Sequence, residues 1–77
     1  MSIKVKLLAS LADRFGVEEV RLEPVSVLTV AAAWDQVTGS APYATNTLAA
    51  VNFEYASVET MLKDGDEVAF FPPITGG

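Results

Sequence analysis

The chain has 77 residues, 51% hydrophobic and 19% charged, with a formal charge of −5 and neither cysteine nor histidine. That length holds one domain with a thin core, and the apolar content is too high for a disordered chain. The missing Cys and His exclude a disulfide framework, a thiolate nucleophile, an imidazole base and the usual zinc sites.

Residues 3–9 open with Ile3, Val5 and Leu7 alternating with Lys4 and Lys6, the period of a strand with one wet face. Ser10 is placed to cap a short helix through Phe15, and Gly16 to end it. Residues 18–23 alternate again, with Val20 and Leu22 on one face, and Pro24 closes this strand. The two strands predict a loose hairpin-like pair. The period then changes. Val30, Ala33, Trp34 and Val37 fall at i, i+3, i+4 and i+7, one face of a helix. Thr29 or Ser26 is its N-cap, and Gly39 sits where a left-handed terminal residue belongs. Trp34, the only tryptophan, is expected to anchor the core against the sheet.

Residues 39–47 read as loop, Leu48–Val51 as a short buried strand, and residues 52–55 as a turn. Asp64-Gly65-Asp66 is a turn signal. Glu67–Phe71 is apolar on both faces, the pattern of a central strand. The order strand, strand, helix, strand, strand predicts a two-layer α+β domain over residues 1–71. Its mixed sheet would carry one main helix on one face, with the first and last strands adjacent at the centre. This is the β-grasp, or ubiquitin-like, arrangement.

Residues 72–77 read Pro72-Pro73-Ile74-Thr75-Gly76-Gly77. The prolines cannot continue a ladder, and Phe71, preceding one, is held extended. The segment is therefore expected to leave the domain as an arm of roughly 20 Å, at ~3.3 Å per residue. Gly76 and Gly77 have no side chains and can enter a channel too narrow for a Cβ. The reactive group on offer is the terminal carboxylate of Gly77. ATP can convert it to an acyl-adenylate, and a sulfur donor can turn that into a thiocarboxylate, a good nucleophile at neutral pH. No side chain of this chain is needed for that chemistry. An inert glycine tail is the competing reading.

Other residues point elsewhere. Asp64 and Asp66 read as a turn rather than a metal site. Glu18 and Glu19 read as a solvated edge, and Val68 and Phe70 as core. Phe53, at a predicted turn tip, either contacts a partner or folds over the sheet. Lys4, Lys6, Arg14, Arg21 and Lys63 are scattered and form no basic stripe, so nucleic acid is not an expected partner. With so few charges, some apolar residues are expected to face a partner protein. No apolar run reaches the roughly 20 residues that span a bilayer, and the start resembles no signal peptide, so a cytoplasmic location is expected.

The stretch from Lys63 to Gly77, with Asp64-Gly65-Asp66-Glu67-Val68 and the ending Phe71-Pro72-Pro73-Ile74-Thr75-Gly76-Gly77, resembles the small, sulfur-carrier subunits of molybdopterin synthase. Ala50-Val51-Asn52 with Glu54-Tyr55 is similar to their middle strand and turn, and Ile3-Lys4-Val5 with Leu7-Leu8-Ala9 to their first strand. The resemblance implies a β-grasp fold and a carrier that is not catalytic alone and binds no cofactor itself. Gly77 would be adenylated by an ATP-dependent activating enzyme, loaded by a sulfurtransferase donor, and inserted into the large synthase subunit within a heterotetramer. There it would give sulfur to cyclic pyranopterin monophosphate (precursor Z). Phe71, Leu8, Met61 and Leu62 would face the partner, together with Pro72, Pro73, Ile74 and Thr75 of the arm. Ala12 and Asp13 stand where some relatives carry a basic residue, so no ion pair to the partner is expected there. A thiazole-pathway sulfur carrier and a ubiquitin-like modifier joined to lysines through Gly77 are the alternatives.

Overall fold

The computed structural model describes residues 2–24, 28–43 and 47–72. Strand β1 (Ile3–Leu7) buries Ile3, Val5 and Leu7 and leaves Lys4 and Lys6 half-exposed, as its alternation requires. It pairs antiparallel with β2 (Glu19–Leu22), Val5 opposite Val20 and Ile3 opposite Leu22. Between them lies α1 (Ser10–Phe15), which Gly16 ends in the left-handed conformation. Ser10 does not cap this helix. It is the first helical residue, and the capping position falls on Ala9, whose side chain has nothing to offer the free amides. The chain enters instead through a tight turn in which Leu11 N donates to Leu8 O at 3.1 Å and Ala9 takes φ 54°.

Helix α2 (Val30–Thr38) follows the short strand β3 (Leu28–Thr29). Thr29 is its cap: the hydroxyl accepts from Ala32 N at 3.1 Å. The rival cap, Ser26, lies outside the described residues. Val30, Ala33 and Trp34 are buried, and Gly39 closes the helix with φ 70°. Trp34 sits at the centre of the core. Its ring meets Phe15, Tyr43 and Phe70 edge-on, at centroid distances of 5.6, 5.0 and 5.1 Å, and its indole N–H donates to Ala41 O at 2.7 Å.

The remaining strands are β4 (Leu48–Val51), β5 (Glu54–Ala56), β6 (Met61–Leu62) and β7 (Glu67–Phe71). The main sheet has the order β2-β1-β7-β4-β5, with β7 parallel to β1 and antiparallel to β4. The apolar run 67–71 is thus central, and Val68 and Phe70 are fully buried against the helix. Residues 54 and 55, expected in a turn, belong to β5. The reversal itself takes only Asn52 and Phe53, because Val51 pairs directly with Glu54. A second ladder joins β3 to β6, Leu28 opposite Leu62; two-residue strands leave no alternation to read, and neither was expected. Among the described residues no helix is long and apolar enough to cross a membrane.

Candidate functional site: the outer face of the sheet

Burying Ile3, Val5, Leu7, Val68 and Phe70 on the helix side forces their neighbours to the other face. The registers show what meets there. Lys6 lies beside Ala69, Ala69 beside Ala50, and Ala50 beside Tyr55. One step toward the end of β7, Phe71 lies opposite Leu48, and Leu8 follows β1, its amide donating to Phe70 O at 3.0 Å. The result is a shallow apolar groove floored by Ala50 and Ala69 and walled by Leu8, Tyr55, Phe71 and Phe53. Tyr55 is 76% exposed, and its ring lies 6.0 Å from that of Phe71. No helix covers this face among the described residues, and β7 runs through it to Pro72.

The far end of the face is charged. Glu67 lies 3.9 Å from the Lys4 ammonium and 3.7 Å from that of Lys6, and Arg21 pairs across from Lys4. The basic residues that look scattered in sequence therefore concentrate here: Lys4, Lys6 and Arg21 share one end of one face. Alternation in adjacent strands brings them together, and a linear reading of charge does not see it.

The expected contact residues divide. Leu8 and Phe71 lie on the outer face, and Pro72 continues from it half-buried. Met61 is exposed, on a separate groove that it shares with Tyr55. Leu62 is a correction: it faces inward opposite Leu28 and is buried in the core, so no partner reaches it in the folded chain. Pro73, Ile74, Thr75, Gly76 and Gly77 lie outside the described residues. Tyr55 and Leu48 are outer-face residues that sequence reading did not single out. The signal was the stretch Glu54–Ala56, which a turn reading hid.

Asp66 is a further surprise. It sits in the expected turn but is only 5% exposed. One carboxylate oxygen accepts from the Asn52 amide at 3.0 Å, the other from the Lys63 backbone N–H at 2.9 Å, and the Lys63 ammonium stands 3.6 Å away. Asn52 also holds Glu67, accepting from its N–H at 3.0 Å and donating to its carbonyl at 2.8 Å. Burial by itself would raise the Asp66 pKa, but these donors and the lysine charge together hold it below the ordinary carboxylate value. The pair ties the β4–β5 turn to the start of β7. Among the described residues no cluster of acidic side chains is arranged to hold a metal, and Asp66 is satisfied without one.

Asp66→Ala leaves the Asn52 amide and the Lys63 N–H without their acceptor, and is expected to cost about 2–3 kcal/mol. Because the folded pKa is depressed, the stability linked to ionised Asp66 is fully present above the unfolded value near ~3.9. It is lost as pH falls through the folded value. Urea titrations of the wild type and variant at neutral pH and below about pH 4 test this: the gap between them should narrow in acid, and a constant gap would contradict it.

Comparison with known proteins fits this architecture. Over 30 residues the chain is 67% identical to the molybdopterin synthase sulfur carrier subunit of Escherichia coli (strain K12), and 53% identical over 30 residues to that of Haemophilus influenzae (strain ATCC 51907 / DSM 11121 / KW20 / Rd). Each match covers 39% of this chain and 37% of the relative, little more than a third of either. The crystal structure of SAMP1 from Haloferax volcanii superposes with a TM-score of 0.84 at 29% identity, covering 100% of both chains; SAMP1 is a small archaeal modifier protein. Residues 5–77 match the ThiS family. With that match taking in all of the five-stranded sheet but the first two residues of β1, and the helix with it, the chain belongs to the ThiS family and has the β-grasp, ubiquitin-like fold.

Proposed function

We propose that this chain is a sulfur carrier for molybdenum cofactor biosynthesis, working as the small subunit of molybdopterin synthase. The observation that carries the reading is the exit of β7. The central strand ends at Phe71 on an open apolar face, and the sequence beyond it is Pro72-Pro73-Ile74-Thr75-Gly76-Gly77. A protein seated on that face would be placed to take up the tail. The strong local identity to two molybdopterin synthase sulfur carrier subunits supports the same reading.

In this reading Gly77 ends the working chain. Its carboxylate attacks the α-phosphate of ATP on an activating enzyme, pyrophosphate leaves, and an acyl-adenylate forms. Hydrosulfide, or its equivalent from a sulfurtransferase, adds to the acyl carbon and AMP leaves, which yields the thiocarboxylate and a proton. The tail then carries this sulfur into the large subunit, where the acceptor is a pterin. This chain supplies the carrier and the docking face. The adenylation and transfer steps take place on its partners, so it is not an enzyme alone.

The test is the intact mass after incubation with ATP, a sulfide source and an activating enzyme. The expected result is a gain equal to one oxygen exchanged for one sulfur, localised to Gly77. No gain with an enzyme that loads a known carrier would sink the proposal. The full-length similarity to an archaeal modifier protein favours one second reading, in which Gly77 is joined to lysines of other proteins. Isopeptide conjugates in a lysate, in place of a free thiocarboxylate, would select it.

A further inference from the structure

We infer that Phe53 is a specificity-determining contact residue, a pre-positioned aromatic that enters an apolar recess of the protein receiving the tail. The inference rests on the carrier reading and adds a residue to its docking face.

The turn between β4 and β5 has two residues, Asn52 with φ 51° and Phe53 with φ 69°. A two-residue hairpin with both φ positive is the type I′ turn, whose second position favours glycine. Asparagine tolerates the first position well. Phenylalanine at the second places a Cβ against its carbonyl, at about 1–2 kcal/mol. No contact among the described residues offsets that cost. Phe53 is 89% exposed, lies outside the core cluster, and pairs with no other aromatic ring among the described residues.

Its position suits a contact. The ring borders the outer-face groove that Tyr55 and Phe71 also line, at the end where β7 begins. Asn52 fixes the turn through Asp66 and both backbone groups of Glu67, so little conformational freedom remains to be lost on binding. An aromatic carried on a fixed turn suits the part of an interface anchor.

The occupant is a different protein rather than a second copy. The chain carries a formal charge of −5, so two copies repel. Glu54, next to Phe53, is exposed and has no ion-pair partner among the described residues. The partner surface that fits is an apolar recess with a basic side chain opposite Glu54 and acidic ones opposite the Lys4 and Lys6 ammonium groups that flank Glu67.

The experiment measures binding of the full chain to purified large subunit of molybdopterin synthase, for wild type, Phe53→Gly and Phe53→Asn. Melting curves and sedimentation accompany each titration. Both substitutions suit a positive φ, so both variants should melt at or above the wild type. Both should bind at least about tenfold more weakly, or ~1.4 kcal/mol, chiefly through faster dissociation. Either variant binding within about twofold of wild type overturns the inference and leaves the carrier reading standing. A wild-type dimer abolished by Phe53→Gly also overturns it, because the ring would then serve a self-contact. A wild type that gains the thiocarboxylate but does not bind the large subunit overturns both the docking role and the inference. The mass test on Gly77 reads the loading chemistry separately.

Discussion

Trp34→Ala is expected to remove a large part of the chain's folding stability. The side chain is 2% exposed and holds edge-on contacts with Phe15, Tyr43 and Phe70. Removing a buried aromatic of this size costs about 3–5 kcal/mol. A domain of 77 residues has roughly 4–12 kcal/mol in total, so the loss takes a large part of its stability. Trp34 also joins separate parts of the chain: the end of α1, the loop after α2 and the central strand all meet on its ring. Trp34→Phe keeps much of the apolar area but forfeits the 2.7 Å hydrogen bond to Ala41 O, and should lose about 1–3 kcal/mol. Circular dichroism against urea separates the two. A cooperative transition for Trp34→Ala with a midpoint near the wild type's would show that the ring does not organise the core.

Deleting Gly76 and Gly77 should have the opposite profile. Sulfur transfer to a pterin acceptor should fall to background, while the melting temperature stays within about 2 °C of wild type. A shift of 1 kcal/mol would already move a domain of this size by about 4–8 °C. In the proposed carrier role, loading needs the carboxylate of the terminal glycine, and a chain stopping at Thr75 would present that group two residues short and with a side chain on it. Adding one residue after Gly77 should be equally inactive, because the carboxylate becomes an amide. Single-turnover transfer assays with matched melting curves check both. A truncated chain that still transfers sulfur would remove Gly77 from the chemistry.

The sequence carried much of this architecture, and its failures have physical causes. The alternation of Ile3, Val5 and Leu7 and the helical spacing of Val30, Ala33 and Trp34 identified the buried faces directly, because each element there is long enough to show its period. Glu67–Phe71 was legible as central because both its faces are apolar. The strands Leu28–Thr29 and Met61–Leu62 were not, since two residues have no period and Leu62 is apolar whether it faces a core or a partner. Residues 54 and 55 were lost to a turn because the real reversal hides at a Phe in a conformation that glycine usually fills. The outer face was legible only in part. Phe71 and Leu8 came from resemblance, whereas Tyr55 and the meeting of Lys4, Lys6 and Arg21 depend on which strands lie side by side. Asp66 shows the same limit: its burial comes from Asn52, distant in sequence and adjacent only after β4 pairs with β7.

The position of β7 between β1 and β4 also governs when the protein can fold during its synthesis. β1 is made first but finds its parallel neighbour only after residues 67–71 have been translated, and β4 waits for the same segment. Until that segment clears the ribosome, Val5, Leu7 and Ala49 have no central strand to pack beside. Native closure of the sheet therefore waits on residues 67–71. A product broken off before β7 would lack the strand that joins β1 to β4, and with it the outer face of the sheet.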